Sequence, residues 1–74
     1  MYIYKNIITI ESGKRSGKPC IRGMRITVED ILRYLASEMS IAQIIEDFPE
    51  LTKLDILTAI EFAADRQHRT IVAA

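Results

Sequence analysis

Hydrophobic residues in the second half of the chain recur at helical spacing in three separate segments. They lie three or four positions apart from Val28 to Met39, from Ile41 to Phe48 and from Leu54 to Ala64. This spacing is typical of helices that are packed on one side. Pro49 stops the second segment, because proline disfavours a helical conformation in the residue before it. The pattern predicts three helices, of which the third runs from Lys53 to about Gln67 and is broad enough to contact the other two.

Each predicted helix is preceded by a hydroxyl residue that has a polar acceptor three positions later. The pairs are Thr27 with Asp30, Ser40 with Gln43, and Thr52 with Asp55. In such a capping box the hydroxyl accepts a backbone N–H of the first turn, and the later side chain accepts the N–H of the cap. The caps are 13 and 12 residues apart, which leaves room only for short helices joined by tight turns. This spacing of the caps predicts a three-helix unit of the helix-turn-helix kind.

The first third of the chain contains two short runs of β-forming residues, Tyr2–Tyr4 and Ile7–Ile10. A turn-forming cluster follows at Ser12–Gly17, and a further candidate strand, Ile21–Ile26, is interrupted by Gly23. Such runs, bounded by glycine and serine, are typical of short strands. The sequence therefore predicts a small N-terminal β-hairpin that caps the helices, and an α+β fold that is mainly α.

The 74 residues are expected to form one domain. It divides into a strand and loop region at 1–26, a three-helix core at 27–67 and a tail at 68–74. The tail is β-prone at Arg69–Val72, and we expect it to pair with the first strand or with a second copy. A chain this short hides only about 60 % of its unfolded surface on folding. The weak core and the otherwise exposed strand edges predict a homodimer.

The composition, 49 % hydrophobic and 27 % charged, is that of a globular protein. No apolar run approaches the ~20 residues of a membrane span, and the first residues lack the pattern of a signal peptide. We therefore expect a cytoplasmic protein without membrane association. One cysteine, Cys20, and one histidine, His68, are too few for a zinc site. We expect no metal and no cofactor.

Charge is distributed unevenly along a chain whose net charge is zero. Residues 1–27 carry six cations and one anion, whereas residues 28–74 carry four cations and nine anions. Clustered cations are typical of a phosphate-binding surface. The alternative is a solvated loop whose charges complement the acidic helices, and the sequence leaves both interpretations open.

If the chain binds DNA, the first residues of the third helix would lie at base edges. Of Thr52, Lys53, Asp55 and Thr58 only Lys53 is a cation, so the loop and Arg33 would have to supply much of the attraction to phosphate. The candidate DNA-binding residues are Lys14, Arg15, Lys18, Arg33, Thr52, Lys53 and Thr58. The alternative is a degenerate helix-turn-helix that has kept its fold and does not bind DNA.

Two arginines, Arg22 and Arg25, flank Gly23, and a glycine in this position usually marks a turn or a close backbone approach. The arginines can contact phosphate, or they can anchor the hairpin to acids of the first helix such as Glu29 and Asp30. The nearby GKRSGKP segment lacks the spacing and the hydroxyl of a nucleotide-binding P-loop. We find no catalytic residues and no paired carboxylates or nucleophile with a base, so an enzyme is not expected.

Four short motifs carry a resemblance to a known family. They are Gly17-Lys18-Pro19, Ile21-Arg22-Gly23, Arg25-Ile26, and Phe48-Pro49 with Leu51-Thr52. The chain from about Ile7 to Asp65 resembles the bacterial and archaeal domain of unknown function family 433. The resemblance implies a homeodomain-like three-helix fold. It also implies a VapB-like antitoxin of a toxin–antitoxin pair, with a PIN-like ribonuclease as the usual neighbour.

The function we expect is therefore that of a type II antitoxin that binds a PIN-like ribonuclease toxin and, as a further partner, operator DNA. PIN-like sites are acidic, so a basic segment suits them, and Arg22 and Arg25 are the candidate toxin-binding residues. One alternative is a protein-interaction or dimerisation module without DNA binding. Another is a stand-alone DNA-binding regulator without a toxin.

Overall fold

The chain folds as a small antiparallel sheet followed by three helices. In the computed structural model, residues 1–66 are described in full and residues 67–73 by their backbone alone. The strands are β1 (Tyr2–Tyr4), β2 (Ile8–Ile10) and β3 (Cys20–Ile21), and a single 3₁₀ turn spans Arg15–Gly17. The helices are α1 (Val28–Ala36), α2 (Ile41–Asp47) and α3 (Lys53–Ala73). The predicted α+β, mainly α architecture is confirmed.

All three predicted capping boxes are present, and each helix begins directly after its hydroxyl residue. At α1 the Asp30 N–H donates to Thr27 Oγ1 at 2.9 Å, and the Thr27 N–H donates to Asp30 Oδ2 at 3.0 Å. The corresponding distances are 3.1 and 2.7 Å at Ser40 and Gln43. They are 3.1 and 2.9 Å at Thr52 and Asp55. These local hydrogen bonds satisfy N–H groups that a helix start leaves without an intrahelical acceptor.

The first helix ends at Ala36, three residues before the end of the apolar pattern at Met39. The Met39 N–H donates to the Tyr34 carbonyl at 3.1 Å, and the Glu38 N–H donates to the Leu35 carbonyl at 3.0 Å. Glu38 has φ of 69°. These features define a Schellman motif, whose left-handed position is usually glycine. Because glutamate occupies it here, the sequence carries no signal for this helix end.

The third helix continues to Ala73, beyond the predicted end near Gln67. The prediction that Arg69–Val72 pairs as a strand is therefore wrong, because the backbone of these residues belongs to α3. No glycine or proline follows Pro49 in the sequence. In the absence of a helix breaker, each further residue adds one backbone hydrogen bond to a helix that is already nucleated.

The predicted hairpin is confirmed as β1 and β2, and a third strand extends it. The sheet order is β1-β2-β3, with Tyr4 opposite Ile8 and Ile8 opposite Ile21. Lys5 and Asn6 connect the first two strands with φ of 51° and 59°. Two successive positive φ angles suit a tight hairpin turn. A bridge between Cys20 and Thr27 links β3 to the start of α1, so the sheet is joined directly to the first capping box.

The core lies between the sheet and the helices, and α3 contacts α1, α2 and β2. Its fully buried large side chains come from every layer of the fold. They include Ile8, Ile21, Ile31, Ile44, Leu51 and Ile56. Tyr4 packs edge-on against Phe62 with ring centres 5.1 Å apart, and Tyr34 stacks on Phe48 at 5.2 Å. Across the part of the chain that is described, none of the helices has the length and apolar character needed to cross a bilayer.

Candidate functional site

Arg22 connects the end of the sheet to the start of α3. Its Nε and Nη2 groups donate to the two carboxylate oxygens of Asp55 at 3.1 and 2.9 Å, and Nη2 also donates to the Glu50 carbonyl at 2.7 Å. Asp55 is only 2 % exposed and also accepts the N–H of Thr52 in the third capping box. A bidentate guanidinium–carboxylate pair of this kind fixes both distance and orientation. Arg22 is therefore held in a structural role.

Arg15 makes the equivalent connection at α1. Its Nη1 group donates to Asp30 Oδ2 at 3.2 Å and to the carbonyl of Arg25. Asp30 is the acidic member of the first capping box. The two capping boxes that contain an aspartate thus each receive an arginine from the N-terminal region. The box of α2 uses the neutral Gln43 in place of an aspartate.

The two capping aspartates are ionised at neutral pH. Burial raises the pKa of Asp55, but hydrogen bonds from Arg22 and from the Thr52 backbone outweigh burial, and its pKa lies below the ordinary value. Burial likewise raises the pKa of Asp30, and hydrogen bonds from Thr27 and Arg15 bring it below the ordinary value. In both cases the donors favour the charged form more than burial disfavours it.

The three lysines of the N-terminal region also have partners within the fold. Lys14 donates to the Gly23 carbonyl and lies 3.5 Å from Glu11. The remaining pairs are Lys18 with Glu29 at 3.2 Å, Lys5 with Glu61 at 2.7 Å, and Arg33 of α1 with Glu29 at 2.6 Å. Ion pairs between the N-terminal region and the helices thus largely balance the uneven charge of the sequence. This supports the interpretation that the charges of the loop complement the acidic helices.

Arg25 and Lys53 differ from the other candidate residues in this respect. Both are exposed, and neither side chain forms a hydrogen bond or an ion pair with any residue in the range 1–66. The backbone of Arg25 is fixed by the Arg15 guanidinium, which leaves its own side chain available to a partner. These are the two sequence-predicted cations that combine exposure with an unused charge.

The two threonines at the start of α3 that the sequence indicated for DNA binding are not free to contact a base. Thr52 is exposed, but its hydroxyl accepts the Asp55 N–H. Thr58 is 4 % exposed and lies on the side of α3 that faces the core. It cannot reach a base edge without a rearrangement of the helix. Of the early α3 positions that the sequence indicated for DNA contact, only Lys53 is both exposed and cationic.

Part of the broad apolar stripe that the sequence predicts on the third helix lies exposed on the outside of α3. Leu54, Leu57 and Ile60 are 63 %, 45 % and 37 % exposed. The core side of the helix is formed instead by Ile56, Ala59 and Phe62. Because α3 is apolar on both sides, periodicity alone cannot decide which side is buried. The contact that turns Asp55 inward is its pair with Arg22, which is tertiary, so the sequence carries no signal for the buried side.

A cleft of about 280 Å³ opens between α1, α3 and the segment before β3. Most of its lining is apolar, from Pro19, Val28, Leu32, Phe62 and Ala63, and the charged residues Glu29 and Arg66 complete it. Its volume lies at the lower end of small-molecule sites, and few polar groups converge on it.

Two further observations concern the chemistry of the described side chains. Within residues 1–66, no three of the His, Cys, Asp and Glu side chains are grouped so that they could hold a metal ion. Cys20 is buried and its thiol donates to the Lys18 carbonyl at 3.3 Å. Burial raises the pKa of Cys20, so the thiol stays protonated and is a poor nucleophile at neutral pH.

The fold is shared with a solved protein. A crystal structure of a DUF433 member protein from Anabaena variabilis ATCC 29413 is similar to this chain, with a TM-score of 0.81 and 25 % sequence identity. The similarity covers 88 % of this chain and 64 % of that chain, so this chain spans less than two thirds of its length. No curated protein matches the chain. The family described as "Protein of unknown function (DUF433)" matches residues 8–63. The chain therefore belongs to the DUF433 family.

Proposed function

We propose that this chain is the antitoxin of a type II toxin–antitoxin system. In this proposal it binds a PIN-like ribonuclease by protein–protein contact and inhibits it. The helix-turn-helix core serves protein contact, and α3 does not read DNA. The proposal combines the family resemblance with one structural observation, the exposed apolar side of α3.

That side of α3 is where a DNA-reading helix would present polar groups to the major groove. Here it presents Leu54, Leu57 and Ile60 to solvent. Exposed acids also lie in the sequence just before α3, at Glu46, Asp47 and Glu50. They would repel the phosphate backbone. A contiguous exposed apolar patch with charges at its edge is typical of a protein-binding surface.

Arg25 is the residue that we propose for contact with the ribonuclease. Its guanidinium is exposed and has no partner within residues 1–66. An acidic ribonuclease site would attract such a cation, and this complementarity mainly increases association rate and specificity. Arg22, which the sequence suggested for the same role, is occupied by Asp55 and the Glu50 carbonyl and is not part of the proposed contact.

The proposal is tested by co-expression of this chain with the gene next to its own, with cell growth as the measurement. We expect the neighbouring product to be toxic alone and the wild-type chain to restore growth. Arg25→Ala should lose most of the rescue while keeping its fold. Arg33→Ala is the matched control, an exposed arginine of α1 paired with Glu29, and should rescue like the wild type. A harmless neighbour, or full rescue by a folded Arg25→Ala variant, contradicts the proposal.

A second candidate function is operator binding, which Lys53 favours. It lies exposed at the start of α3, where a helix-turn-helix contacts bases. Fluorescence anisotropy with the promoter of the chain's own operon, at several salt concentrations, distinguishes the two functions. Binding that falls steeply with salt and whose sequence preference changes in Lys53→Ala would support DNA recognition. Absence of binding at low salt would favour a purely protein-binding role.

A further inference from the structure

We propose that the exposed side of α3 pairs with the same side of a second copy of this chain, with the two helices antiparallel. We call this surface the Leu57 face, and it consists of Lys53, Leu54, Leu57, Ile60 and Glu61. The inference rests on the proposed protein-binding use of α3 and names the partner of that surface.

The Leu57 face is symmetric in sequence about Leu57. Leu54 and Ile60 lie three residues before and after it, and Lys53 and Glu61 lie four residues before and after it. Residues three and four apart are neighbours on a helix surface, so all five share one side of α3. All five are exposed, so this side of α3 is accessible to a partner.

Two antiparallel helices can be related by a two-fold axis that passes between them at Leu57. A residue n positions after Leu57 in one copy then lies at the same height as the residue n positions before Leu57 in the other copy. Leu57 then meets its own equivalent, and Leu54 lies level with Ile60 of the second copy. Lys53 lies level with Glu61 of the second copy, on both sides of the axis. The surface is thus complementary to itself, as a two-fold interface requires. A parallel arrangement would instead place like charges at the same level.

Both charged residues are available for this contact. The Lys53 side chain has no ion pair or hydrogen bond with residues 1–66. Glu61 pairs with Lys5 at 2.7 Å through Oε2, and its side chain is still 50 % exposed, so it can accept a second cation. Burial of the three apolar side chains in the interface makes the free energy of association more favourable, because it removes apolar surface from water. Lys53 and Glu61, at the two ends of the Leu57 face, favour the antiparallel orientation. In the parallel orientation like charges would face each other and repel.

Light scattering or sedimentation from micromolar to millimolar concentration tests the pairing. We expect the wild type to approach twice the monomer mass of 8.4 kDa as its concentration rises. Leu57→Asp places two carboxylates at the axis and should remain monomeric. The matched control is Ile3→Asp, an exposed apolar residue of the edge strand β1, which should associate like the wild type. Circular dichroism melts of both variants establish that they are folded. Association lost in Ile3→Asp and kept in Leu57→Asp would overturn the proposal.

A charge exchange tests the antiparallel geometry. Lys53→Glu sets glutamate against Glu61 of the other copy, and Glu61→Lys sets lysine against Lys53, so each variant alone should associate about tenfold more weakly or worse. An equimolar mixture of the two variants restores an opposite-charge pair at both ends. We expect the mixture to regain association close to that of the wild type. A mixture no stronger than either variant would overturn the antiparallel arrangement.

The outcomes separate this inference from the proposed function. A monomeric wild type whose Leu57→Asp variant fails to bind the ribonuclease would assign the Leu57 face to the ribonuclease. That result overturns the self-pairing and leaves the proposed function standing. A wild type that pairs as described, but whose neighbour is harmless, would support the self-pairing and overturn the antitoxin role.

Discussion

Asp55 serves two structural purposes with one carboxylate. It completes the capping box of α3 by accepting the Thr52 N–H, and it receives the bidentate pair from Arg22. The first contact is local and was evident from the three-residue spacing. The second joins residues 33 positions apart, and no sequence pattern distinguishes Asp55 from Glu29 or Asp30 as the partner. Short-range contacts of the candidate site could therefore be predicted, whereas the assignment of each arginine to its acid required the fold.

We expect Arg22→Ala to lower the free energy of unfolding by about 1–3 kcal/mol, because it leaves the buried Asp55 carboxylate without its charged partner. The loss should be smaller than for a fully buried pair, since the Arg22 side chain is 43 % exposed. Arg25→Ala is the matched control and should change stability by under about 0.5 kcal/mol. Urea unfolding measures both. Equal midpoints for the two variants would show that Arg22 is not a structural residue.

The same pair predicts a dependence of stability on pH. The folded-state pKa of Asp55 lies below its ordinary value of 3.8, so its contribution is fully present above that value and is lost as the pH falls through the folded-state pKa. The difference in unfolding free energy between the wild type and Arg22→Ala should be constant at neutral pH and should shrink below about pH 4. Urea unfolding at a series of pH values measures this difference. A difference that persists unchanged in acid would mean that Asp55 is not the partner whose charge matters.

At the scale of elements, helix starts and helix ends differ in how much the sequence reveals. All three starts are fixed by side chains within three residues of one another, and all three were predicted. The end of α1 depends on the backbone conformation of Glu38, a residue type that gives no sign of a left-handed angle. The end of α3 was placed too early because no residue there stops a helix. The strand pairs followed from composition, but the short β3 and its bridge to Thr27 are tertiary features.

Glu38→Gly should stabilise the protein by about 0.5–1 kcal/mol. A non-glycine residue at φ of 69° is strained by contact between its Cβ atom and the backbone, and glycine relieves that strain. The gain is limited because glycine also has more freedom in the unfolded chain. Thermal or urea unfolding provides the measurement. The control is Glu46→Gly, within α2, which should destabilise by roughly 0.5–1 kcal/mol. A destabilised Glu38→Gly would contradict the Schellman assignment.

At the scale of the whole molecule, the main consequence of the fold is the orientation of α3. The apolar stripe of α3 is predicted to contact both other helices, whereas Leu54, Leu57 and Ile60 of this stripe lie exposed on the outside. The buried side of the helix is set by the Arg22–Asp55 contact and by Phe62 against Tyr4. The outward side therefore follows from tertiary contacts. It changes the expected partner of α3 from a nucleic acid to a protein.

An NMR titration that follows the methyl groups of Leu54, Leu57 and Ile60 tests most directly whether α3 binds protein. We expect these signals to shift as the protein itself is concentrated and to stay in place when promoter DNA is added at low salt. Val28 and Ile31 in the core provide reference signals that should not respond to either change. The assignment of α3 as a protein-binding surface would be contradicted if the signals of Leu54, Leu57 and Ile60 shifted on addition of DNA and did not change with protein concentration.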